Sequence, residues 1–440
     1  MKNARYIAAW SLLRVDKEQA YSNLVIDAEL KKHDCSERDA ALATAIFYGV
    51  LERKITIDYY IKKHATIKVA KISPLALQCI RIGICQILYM DKIPHSAAVN
   101  ESVNIVKASK EKHTAGFVNA VLRAVIKTGH NIQLPTEERE RLSVQYSCQI
   151  PLMNSYIEDF GKEMAIEILK SNLEKPPITI RVNTTRIQTD KLIELFAENG
   201  IQAVSSPICE NALNLSGTGS IEKLATFHQG YFHIQDTASQ LCVKTLDPQK
   251  GERVLDVCAA PGGKSFTIAE RMEDEGEVLS LDIHPHKIGL IQNGAERLGL
   301  KSIRTFENDA GQYNPVLGKF TKVLCDLPCS GLGIIRKKPE IGYNIVAFLD
   351  NLPKIQYSLL CISAQYVEDN GILVYSTCTL RKKENEEIAQ RFLENHKEFL
   401  PIPVLPELKR AYEQPTNMIT LFPHLHGTDG FFISAFQKKG

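Results

Sequence analysis

Apolar residues recur at helical spacing through the first third of the chain. Residues 40–49, 75–89 and 114–126 each carry apolar side chains three and four positions apart. That spacing places them on one face of a helix, where they can be buried together. The pattern therefore predicts an all-α bundle over residues 1–130.

Two serines predict where helices of this bundle begin. Ser36 precedes an acidic first turn, and Ser73 precedes Pro74, which fits the first position of a helix. A serine oxygen at the cap position accepts a hydrogen bond from an N–H group that has no partner within the helix. We expect both serines to act as such caps.

The pattern becomes mixed after this bundle. Residues 131–141 are polar and include a proline, so we interpret them as a linker. Residues 163–170 and 189–199 have helical spacing, whereas residues 177–183 alternate in the way of a strand. These elements predict a small α+β domain, which with the linker occupies residues 131–235.

From residue 236 onward, short apolar runs alternate with helical patterns. This alternation predicts βαβ units and a mostly parallel, Rossmann-like sheet over residues 236–440. The predicted strands are residues 253–257, 277–282, 303–307, 320–325 and 371–375.

Composition and charge narrow the class of protein. The chain has 440 residues, of which 44% are hydrophobic and 24% charged, and no apolar stretch has the length of a membrane span. Its eleven cysteines are scattered and show neither a disulfide framework nor zinc spacing, which indicates a reduced cytoplasmic protein without a metal. Residues 1–130 contain 20 Lys and Arg against 12 Asp and Glu, and this excess of positive charge predicts a polyanionic partner.

A glycine-containing loop follows the first strand of the Rossmann-like region. Residues 258–264, Cys-Ala-Ala-Pro-Gly-Gly-Lys, place two glycines between a strand and a helix, where the backbone can approach a nucleotide-like ligand. The spacing is neither that of a P-loop nor that of a dinucleotide fingerprint. Acidic residues end the next three predicted strands, and the first of them is placed to bind ribose hydroxyls; they are Asp282, Asp309 and Asp326.

Two cysteines follow the last two predicted strands. Cys329 lies in Asp-Leu-Pro-Cys-Ser-Gly, residues 326–331, and Cys378 lies in Tyr-Ser-Thr-Cys-Thr, residues 375–379. Chemistry in open α/β sheets collects at the carboxyl ends of the strands. We therefore expect both thiols to be reactive groups rather than buried apolar side chains.

Several of these motifs together resemble the Sun family of RNA (cytosine-5) methyltransferases. The resemblance is carried by residues 258–264, 326–333, 376–379 with 384–386, and 427–432. Earlier in the chain it extends to residues 181–184 and 235–239. Residues 37–43, 93–101 and 115–123 resemble the NusB-type RNA-binding domain. Nearly the whole chain is covered by the two resemblances.

The resemblance implies methyl transfer from S-adenosylmethionine to C5 of a cytosine, through a cysteine bonded to C6. Cys378 matches the nucleophile, and Cys329 matches the second cysteine, which serves proton removal and product release. Asp326 would lie between the cofactor and the base, with Lys264 as a source of positive charge that activates the thiol. The implied cofactor-binding residues are Cys258, Ala259, Ala260, Pro261, Gly262, Gly263, Lys264, Asp282, Asp309 and Asp326.

The fusion of a NusB-like front to this core implies a bacterial enzyme that methylates cytosine 967 of 16S rRNA. We expect a monomer that acts on free or early-assembly rRNA and has neither a DNA nor a membrane partner. Two alternatives stay open: the same chemistry on another rRNA or a tRNA cytosine, and a non-catalytic RNA-binding assembly protein. A thiol-redox protein is disfavoured because the chain has no Cys-x-x-Cys.

Overall fold

The structure is a computed structural model that describes residues 3–18, 22–33, 35–343 and 351–440. The chain divides into two compact units, which we call the helical unit and the sheet unit. The helical unit comprises Met1–Glu174 with Ile335–Asn344, and the sheet unit comprises Lys175–Ile334 with Ile345–Gly440. No helix in the described ranges is long and apolar enough to cross a membrane.

The helical unit confirms the all-α bundle that the apolar spacing predicts. Seven of its described helices pack around a continuous apolar core in which Phe47, Ile80 and Leu122 are fully buried. They are α1 (Ala4–Glu18), α2 (Ser22–His33), α3 (Glu37–Glu52), α4 (Lys54–His64), α5 (Pro74–Tyr89), α6 (His95–Lys107) and α7 (Ala115–Thr128). Three more helices of this unit follow along the chain, α8 (Glu138–Tyr146), α9 (Ile150–Phe160) and α10 (Lys162–Ser171). Helix α8 begins inside the segment that we interpreted as a linker, because the Glu137 side chain caps it.

The two predicted serine caps have different outcomes. Ser36 accepts a hydrogen bond from the Asp39 N–H and caps α3, as predicted. Ser73 precedes α5 but makes no such bond, so that prediction was wrong. The carboxylate of Glu111 instead accepts the N–H groups of Leu75 and Ala76 and the Ser73 hydroxyl. Since a carboxylate is a stronger acceptor than a hydroxyl, Glu111 takes the capping position.

The sheet unit begins with a small α+β layer. Its antiparallel sheet has the order β2-β3-β1-β4, and α11 packs on it through Leu192 and Phe196. The elements are β1 (Ile178–Val182), α11 (Thr189–Glu198), β2 (Gln202–Ser205), β3 (Ala212–Ser216), α12 (Ala225–His228) and β4 (Phe232–Ile234). Strand β1 and helix α11 lie where the sequence pattern predicts them.

The larger sheet has the order β10-β12-β9-β8-β5-β6-β7, with β11 paired to β12. Strands β5 to β9 are parallel, whereas β10, β11 and β12 pair antiparallel. The elements are α13 (Thr237–Leu246), β5 (Arg253–Asp256), α14 (Gly263–Arg271), β6 (Glu277–Asp282), α15 (Pro285–Leu298), β7 (Ile303–Glu307), β8 (Phe320–Asp326), α16 (Leu352–Ala364), β9 (Val367–Thr377), α17 (Glu386–Asn395), β10 (Phe399–Pro401), β11 (Met418–Leu421), α18 (Pro423–His426) and β12 (Phe431–Lys438). The mostly parallel Rossmann-like sheet is therefore confirmed.

Strand β5 lies at the point where the order of this sheet reverses. The chain continues from β5 to β6 and β7 on one side, and later places β8 and β9 on the other. Helices that follow diverging strands leave a crevice above the carboxyl ends of those strands. The loop after β5 opens into this crevice.

Candidate active site

The parallel strands bring the predicted site residues to one edge of the larger sheet. Asp282 ends β6, Asp326 ends β8, and Cys378 directly follows β9. Strands β8 and β9 are neighbours, with Asp326 opposite Ser376. All of these residues belong to the sheet unit.

The two cysteines are in contact. Their Sγ atoms lie 3.3 Å apart, and both side chains are partly buried. The hydrogen bond with the Cys378 thiol, followed by burial, raises the pKa of the Cys329 thiol well above its usual range. Cys329 therefore keeps its proton at neutral pH as long as Cys378 is its partner.

Buried polar groups hold the two cysteine-bearing loops together. Glu384 is fully buried, and its carboxylate accepts the Ser330 N–H at 2.9 Å and the Gln356 amide at 3.0 Å. The Ser330 and Thr379 hydroxyls are 2.7 Å apart, which links the residue after each cysteine directly. Because a hydrogen bond to a buried carboxylate is strong, these contacts fix the distance between the thiols.

Gly333 allows the backbones of the two loops to meet. Its N–H donates to the Cys378 carbonyl at 2.9 Å, and its carbonyl accepts the Gly430 N–H at 2.9 Å. A Cβ at this position would lie 1.8 Å from the Gly430 carbonyl oxygen. Only glycine permits this approach.

Lys264 and Asp326 form a largely buried ion pair beside the cysteines. The Lys264 Nζ lies 2.6 Å from Asp326 Oδ2, and Ser376 donates a hydrogen bond to Oδ1 at 2.8 Å. Burial disfavours the lysine charge, but the Asp326 carboxylate outweighs burial and raises the pKa of Lys264. Lys264 therefore stays protonated, and both carboxylate oxygens of Asp326 have fixed donors.

The loop 258–264 joins β5 to α14 and leaves the helix N-terminus uncapped by a side chain. Gly262 adopts φ 110°, and a Cβ there would lie 2.5 Å from the Phe266 ring. The turn thus requires glycine for both its backbone and its packing. The first N–H groups of α14 remain available for an anionic ligand group.

The other predicted acidic residues have distinct environments. Asp282 is 7% exposed; Oδ1 accepts the His284 N–H at 3.0 Å and lies 3.6 Å from the Lys287 Nζ. Asp309 is exposed, and its carboxylate closes a turn by accepting the Gly311 N–H. No cluster of metal-ligating side chains occurs within the described residues.

Asp256, at the end of β5, is a buried acid that our sequence reasoning missed. Ser265 donates to Oδ2 at 2.7 Å, and Ser280 donates to Ser265 at 2.8 Å. Burial raises the pKa of Asp256 to about 7. The signal was an Asp directly after the apolar Val254 and Leu255, two residues before the glycine loop.

We expect Asp256→Asn to stabilise the protein increasingly as the pH rises. The raised pKa means that the folded state holds a proton that the unfolded state has lost, so wild-type stability falls as the pH rises toward the folded pKa of about 7. Asparagine does not titrate, so the variant does not lose stability in this way. The free energy of unfolding of Asp256→Asn relative to wild type should therefore rise by about 2–3 kcal/mol between pH 5 and pH 8. Chemical denaturation at both pH values measures it.

The control for that experiment is Asp309→Asn, because Asp309 is exposed. Its stability relative to wild type should change little between the two pH values. An Asp256→Asn advantage that is the same at pH 5 and pH 8 would contradict the buried-acid assignment.

Residues 384–386 belong to the motifs that carry the resemblance, but the sequence did not indicate how they support the cysteines. Glu384 and Asn385 follow three basic residues directly, and both are buried. Asn385 accepts from the Thr377 hydroxyl and donates to the Thr379 carbonyl. No periodicity reports such contacts, since the partners of Glu384 come from the Cys329 loop and from α16, and those of Asn385 come from the end of β9 and the Cys378 loop.

Comparisons with known proteins agree with this architecture. The family model described as 16S rRNA methyltransferase RsmB/F matches residues 243–437, the NusB family model matches 2–127, and the ferredoxin-like domain of the RsmF/B-like methyltransferases matches 152–222.

Relatives match along the full length. A probable ribosomal RNA small subunit methyltransferase B from Bacillus subtilis is 37% identical, over 100% of this chain and 99% of the relative. One of the same name from Synechocystis is 32% identical, over 100% of both chains. The crystal structure of PH0851 has a TM-score of 0.85 and 25% identity, and covers 99% of this chain and 98% of its own. With the NusB-like front, the ferredoxin-like layer and the paired cysteines, the chain belongs to the RsmB/F family of 16S rRNA methyltransferases.

Proposed function

We propose that this protein methylates C5 of a cytosine in 16S rRNA, with Cys378 as nucleophile and S-adenosylmethionine as methyl donor. The observation that carries the proposal is the contact of two thiols 3.3 Å apart at the carboxyl ends of adjacent strands. The Lys264–Asp326 ion pair stands at the same edge. A scaffold protein requires neither feature.

The first half of the reaction makes C5 nucleophilic. The Cys378 thiolate adds to C6 of an unstacked cytosine, forming a C–S bond and shifting electron density toward C5. N3 takes a proton from solvent before the attack, and the Asp326 carboxylate accepts a hydrogen bond from that N3–H and stabilises the positive charge that favours the attack. Lys264 and Ser376 hold the Asp326 carboxylate in one orientation for that contact.

The second half releases the product. When bound, S-adenosylmethionine would supply an electrophilic methyl group to C5 and leave as S-adenosylhomocysteine. A base then removes the C5 proton, the C5–C6 double bond forms again, and the C6–S bond breaks to return the Cys378 thiolate. Cys329 suits the role of base: once Cys378 is a thioether, the hydrogen bond that most raises the Cys329 pKa is gone, so the Cys329 thiol releases its proton to solvent and the resulting thiolate takes the proton from C5.

The residues at the strand ends fit S-adenosylmethionine. The uncapped N-terminus of α14 offers N–H groups to its carboxylate. Asp282 offers a carboxylate to the ribose hydroxyls, next to Ile283, which is 50% exposed. Phe306 on the neighbouring strand β7 is 46% exposed. Exposed apolar side chains beside a ribose-binding acid suit the flat face of adenine. Residues 258–264, Asp309 and Asp326 complete the proposed cofactor site.

Asp282→Ala should weaken S-adenosylmethionine binding by about ten- to a hundredfold, because a hydrogen bond to a charged group contributes roughly 1.5–3 kcal/mol. Isothermal titration calorimetry measures this. Glu307→Ala is the matched control, since Glu307 is an exposed acid opposite Asp282 on β7. Equal affinities of the two variants would place the ribose at another strand end.

For RNA binding we propose a surface of the helical unit, which we call the lysine face. It comprises the end of α4, the start of α5 and the loop after α6. Glu111 in that loop accepts hydrogen bonds from the N–H groups of Leu75 and Ala76 at the start of α5. No Asp or Glu occurs between Asp58 and Asp91, and Glu111 is occupied at the helix N-terminus. The exposed lysines of this face are Lys62, Lys63, Lys68, Lys71, Lys107, Lys110 and Lys112. Such clustering fits phosphate contacts.

Replacement of Lys68, Lys71 and Lys110 by alanine should lower RNA affinity by roughly tenfold and make its salt dependence shallower by about two in log–log slope. Filter binding over a range of salt concentrations measures both. The control replaces Lys191, Lys244 and Lys250, exposed lysines of the sheet unit that pair with carboxylates. An equal effect of both triple variants would show that net charge, not this face, sets the affinity.

The target itself is tested in cells. Bisulfite sequencing of rRNA and tRNA from cells that lack the protein should show the loss of one 5-methylcytidine, at position 967 of 16S rRNA. Loss at a different rRNA or a tRNA cytosine would keep the chemistry and change the substrate. If no 5-methylcytidine is lost, the proposed activity is wrong.

A further inference from the structure

A third cysteine of the sheet unit lies in contact with a histidine. Cys361 is in helix α16 and is partly exposed. Its Sγ lies 3.3 Å from Nε2 of His396, the residue at the end of α17. Nδ1 of the same ring lies 2.9 Å from a carboxylate oxygen of Glu398. We call these three residues the Cys361 triad.

The Cys361 triad lies far along the sheet from the candidate active site. Phe399, the residue after Glu398, is paired with Lys438 on β12. On the same strand, Phe432 is paired with Thr377 at the end of β9. Since each residue of a strand adds about 3.3 Å, the two pairs are about 20 Å apart. The triad is therefore a separate cluster, which the proposed methyl transfer does not use.

Glu398 determines which nitrogen of the imidazole carries the proton. A carboxylate only accepts hydrogen bonds, so Nδ1 donates to Glu398, and Nε2 of the neutral His396 ring presents its lone pair to the Cys361 thiol. Burial disfavours the Glu398 charge, but hydrogen bonds from its own N–H and from His396 outweigh burial and lower the pKa of Glu398. Glu398 is therefore ionised at neutral pH and stabilises the imidazolium that forms when His396 takes a proton.

Packing holds the imidazole in this orientation. The His396 ring stacks on the fully buried Phe392 ring, with 4.5 Å between the centroids and 21° between the planes. The His396 N–H also donates to the Phe392 carbonyl at 2.9 Å. Because the sulfur and the carboxylate contact different nitrogens of the ring, the three side chains do not converge on one metal ion. The arrangement is that of a nucleophile with an oriented general base.

The Cys361 thiol needs such a base. Burial raises the pKa of the Cys361 thiol, although Tyr357 and Arg391 favour the thiolate. Only a small fraction of this thiol is ionised at neutral pH, so Cys361 has to give up its proton as it attacks. Nε2 of His396 is in place to receive that proton.

We propose that Cys361 is a modification site, which His396 and Glu398 activate toward small disulfides. The Cys361 sulfur attacks one sulfur of the disulfide while His396 takes the thiol proton. A new S–S bond forms to Cys361, the original S–S bond breaks, and the other half of the disulfide leaves as a thiolate that takes the proton from His396. One disulfide is consumed and one is formed, so no other oxidant is required.

The test is the rate at which glutathione disulfide modifies each cysteine of the full-length protein, measured by mass spectrometry of the mixed disulfides. His396→Ala should lower the rate at Cys361 about a hundredfold, the lower end of what a positioned general base contributes. Glu398→Gln should lower it by about two- to fivefold, because solvent screens an ion pair with an exposed partner. Cys35, a partly exposed cysteine of the helical unit, is the internal control and should not change.

Added imidazole distinguishes a base from a structural residue. It should restore much of the Cys361 rate in His396→Ala, because the free base can enter the space beside Phe392. A purely structural role of His396 predicts no such rescue. The matched control is His228→Ala, which removes another histidine that contacts a phenylalanine, Phe227, and should leave the Cys361 rate at the wild-type value.

If His396→Ala fails to fold, His396→Gln and Glu398→Gln carry the test, since both keep a polar side chain of similar size. The absence of a mixed disulfide at Cys361 in the wild-type protein would overturn the proposal. A wild-type rate in every folded variant would do the same. An equal change at Cys35 would also overturn it, because the substitutions would then act through the stability of the whole protein.

Discussion

Replacement of either site cysteine by alanine should stop turnover, but at different stages. Cys378→Ala removes the attacking thiolate, so methyl transfer should fall by roughly 10⁴-fold or more and no covalent RNA complex should form. Cys329→Ala leaves attack and transfer intact and removes the group that serves loss of the C5 proton. The enzyme should then stall as a Cys378–RNA adduct, visible as a slow band on a denaturing gel.

The geometry makes this comparison well controlled. The two thiols share one contact of 3.3 Å, so each variant removes the same neighbour from the other cysteine. Cys361→Ala, in α16, is the matched control and should retain activity. A trapped adduct with Cys378→Ala, and none with Cys329→Ala, would show that the two roles are exchanged.

Asp326→Asn should lower the rate of methyl transfer by about 10²–10⁴-fold, the usual contribution of a positioned acid–base group. The amide keeps the shape but loses the negative charge that stabilises protonated N3. Because this contact precedes attack, the double variant Asp326→Asn with Cys329→Ala should form no adduct. A denaturing gel of the double variant checks this: absence of the adduct means that Asp326 acts before attack, whereas an adduct means that it acts after methyl transfer.

Asp326→Asn also leaves the Lys264 charge without its carboxylate partner, and this second effect requires its own control. Lys264 is only 13% exposed, and an unpaired charge there destabilises the site. Lys264→Met with Asp326→Asn removes both charges and should regain stability without regaining activity. Recovery of activity in that pair would mean that Asp326 serves only to neutralise Lys264.

The sequence predicted the strands and their ends well because both have local causes. Strands β5, β6 and β8 are mostly buried and each contains a Val-Leu pair, at residues 254–255, 278–279 and 323–324, and glycine and acidic residues mark the turns that follow. From these, the placement of Lys264, Asp326, Cys329 and Cys378 at one edge followed from sheet topology alone.

What the sequence did not predict depends on contacts between distant segments. Glu111 caps α5 although it lies 36 residues after Leu75 and 35 residues after Ala76, whose N–H groups it accepts. No cap signal in the sequence extends that far. Glu384 lies in a charged run, and its burial depends on donors from the Cys329 loop and from α16. A charged residue in such a run is usually solvated, so local reasoning favours the wrong environment.

Strand order in the larger sheet also has a consequence for biosynthesis. Strand β9, which leads to Cys378, is hydrogen-bonded on one side to β8 and on the other to β12. Strand β12 covers Phe431–Lys438, so the ribosome makes it some fifty residues after Cys378. Until then β9 has an unpaired edge, and the Gly430 contact that orders Gly333 does not exist. The nascent chain therefore holds both thiols for a time without the framework that aligns them, and catalytic competence arises only after β12 has been made.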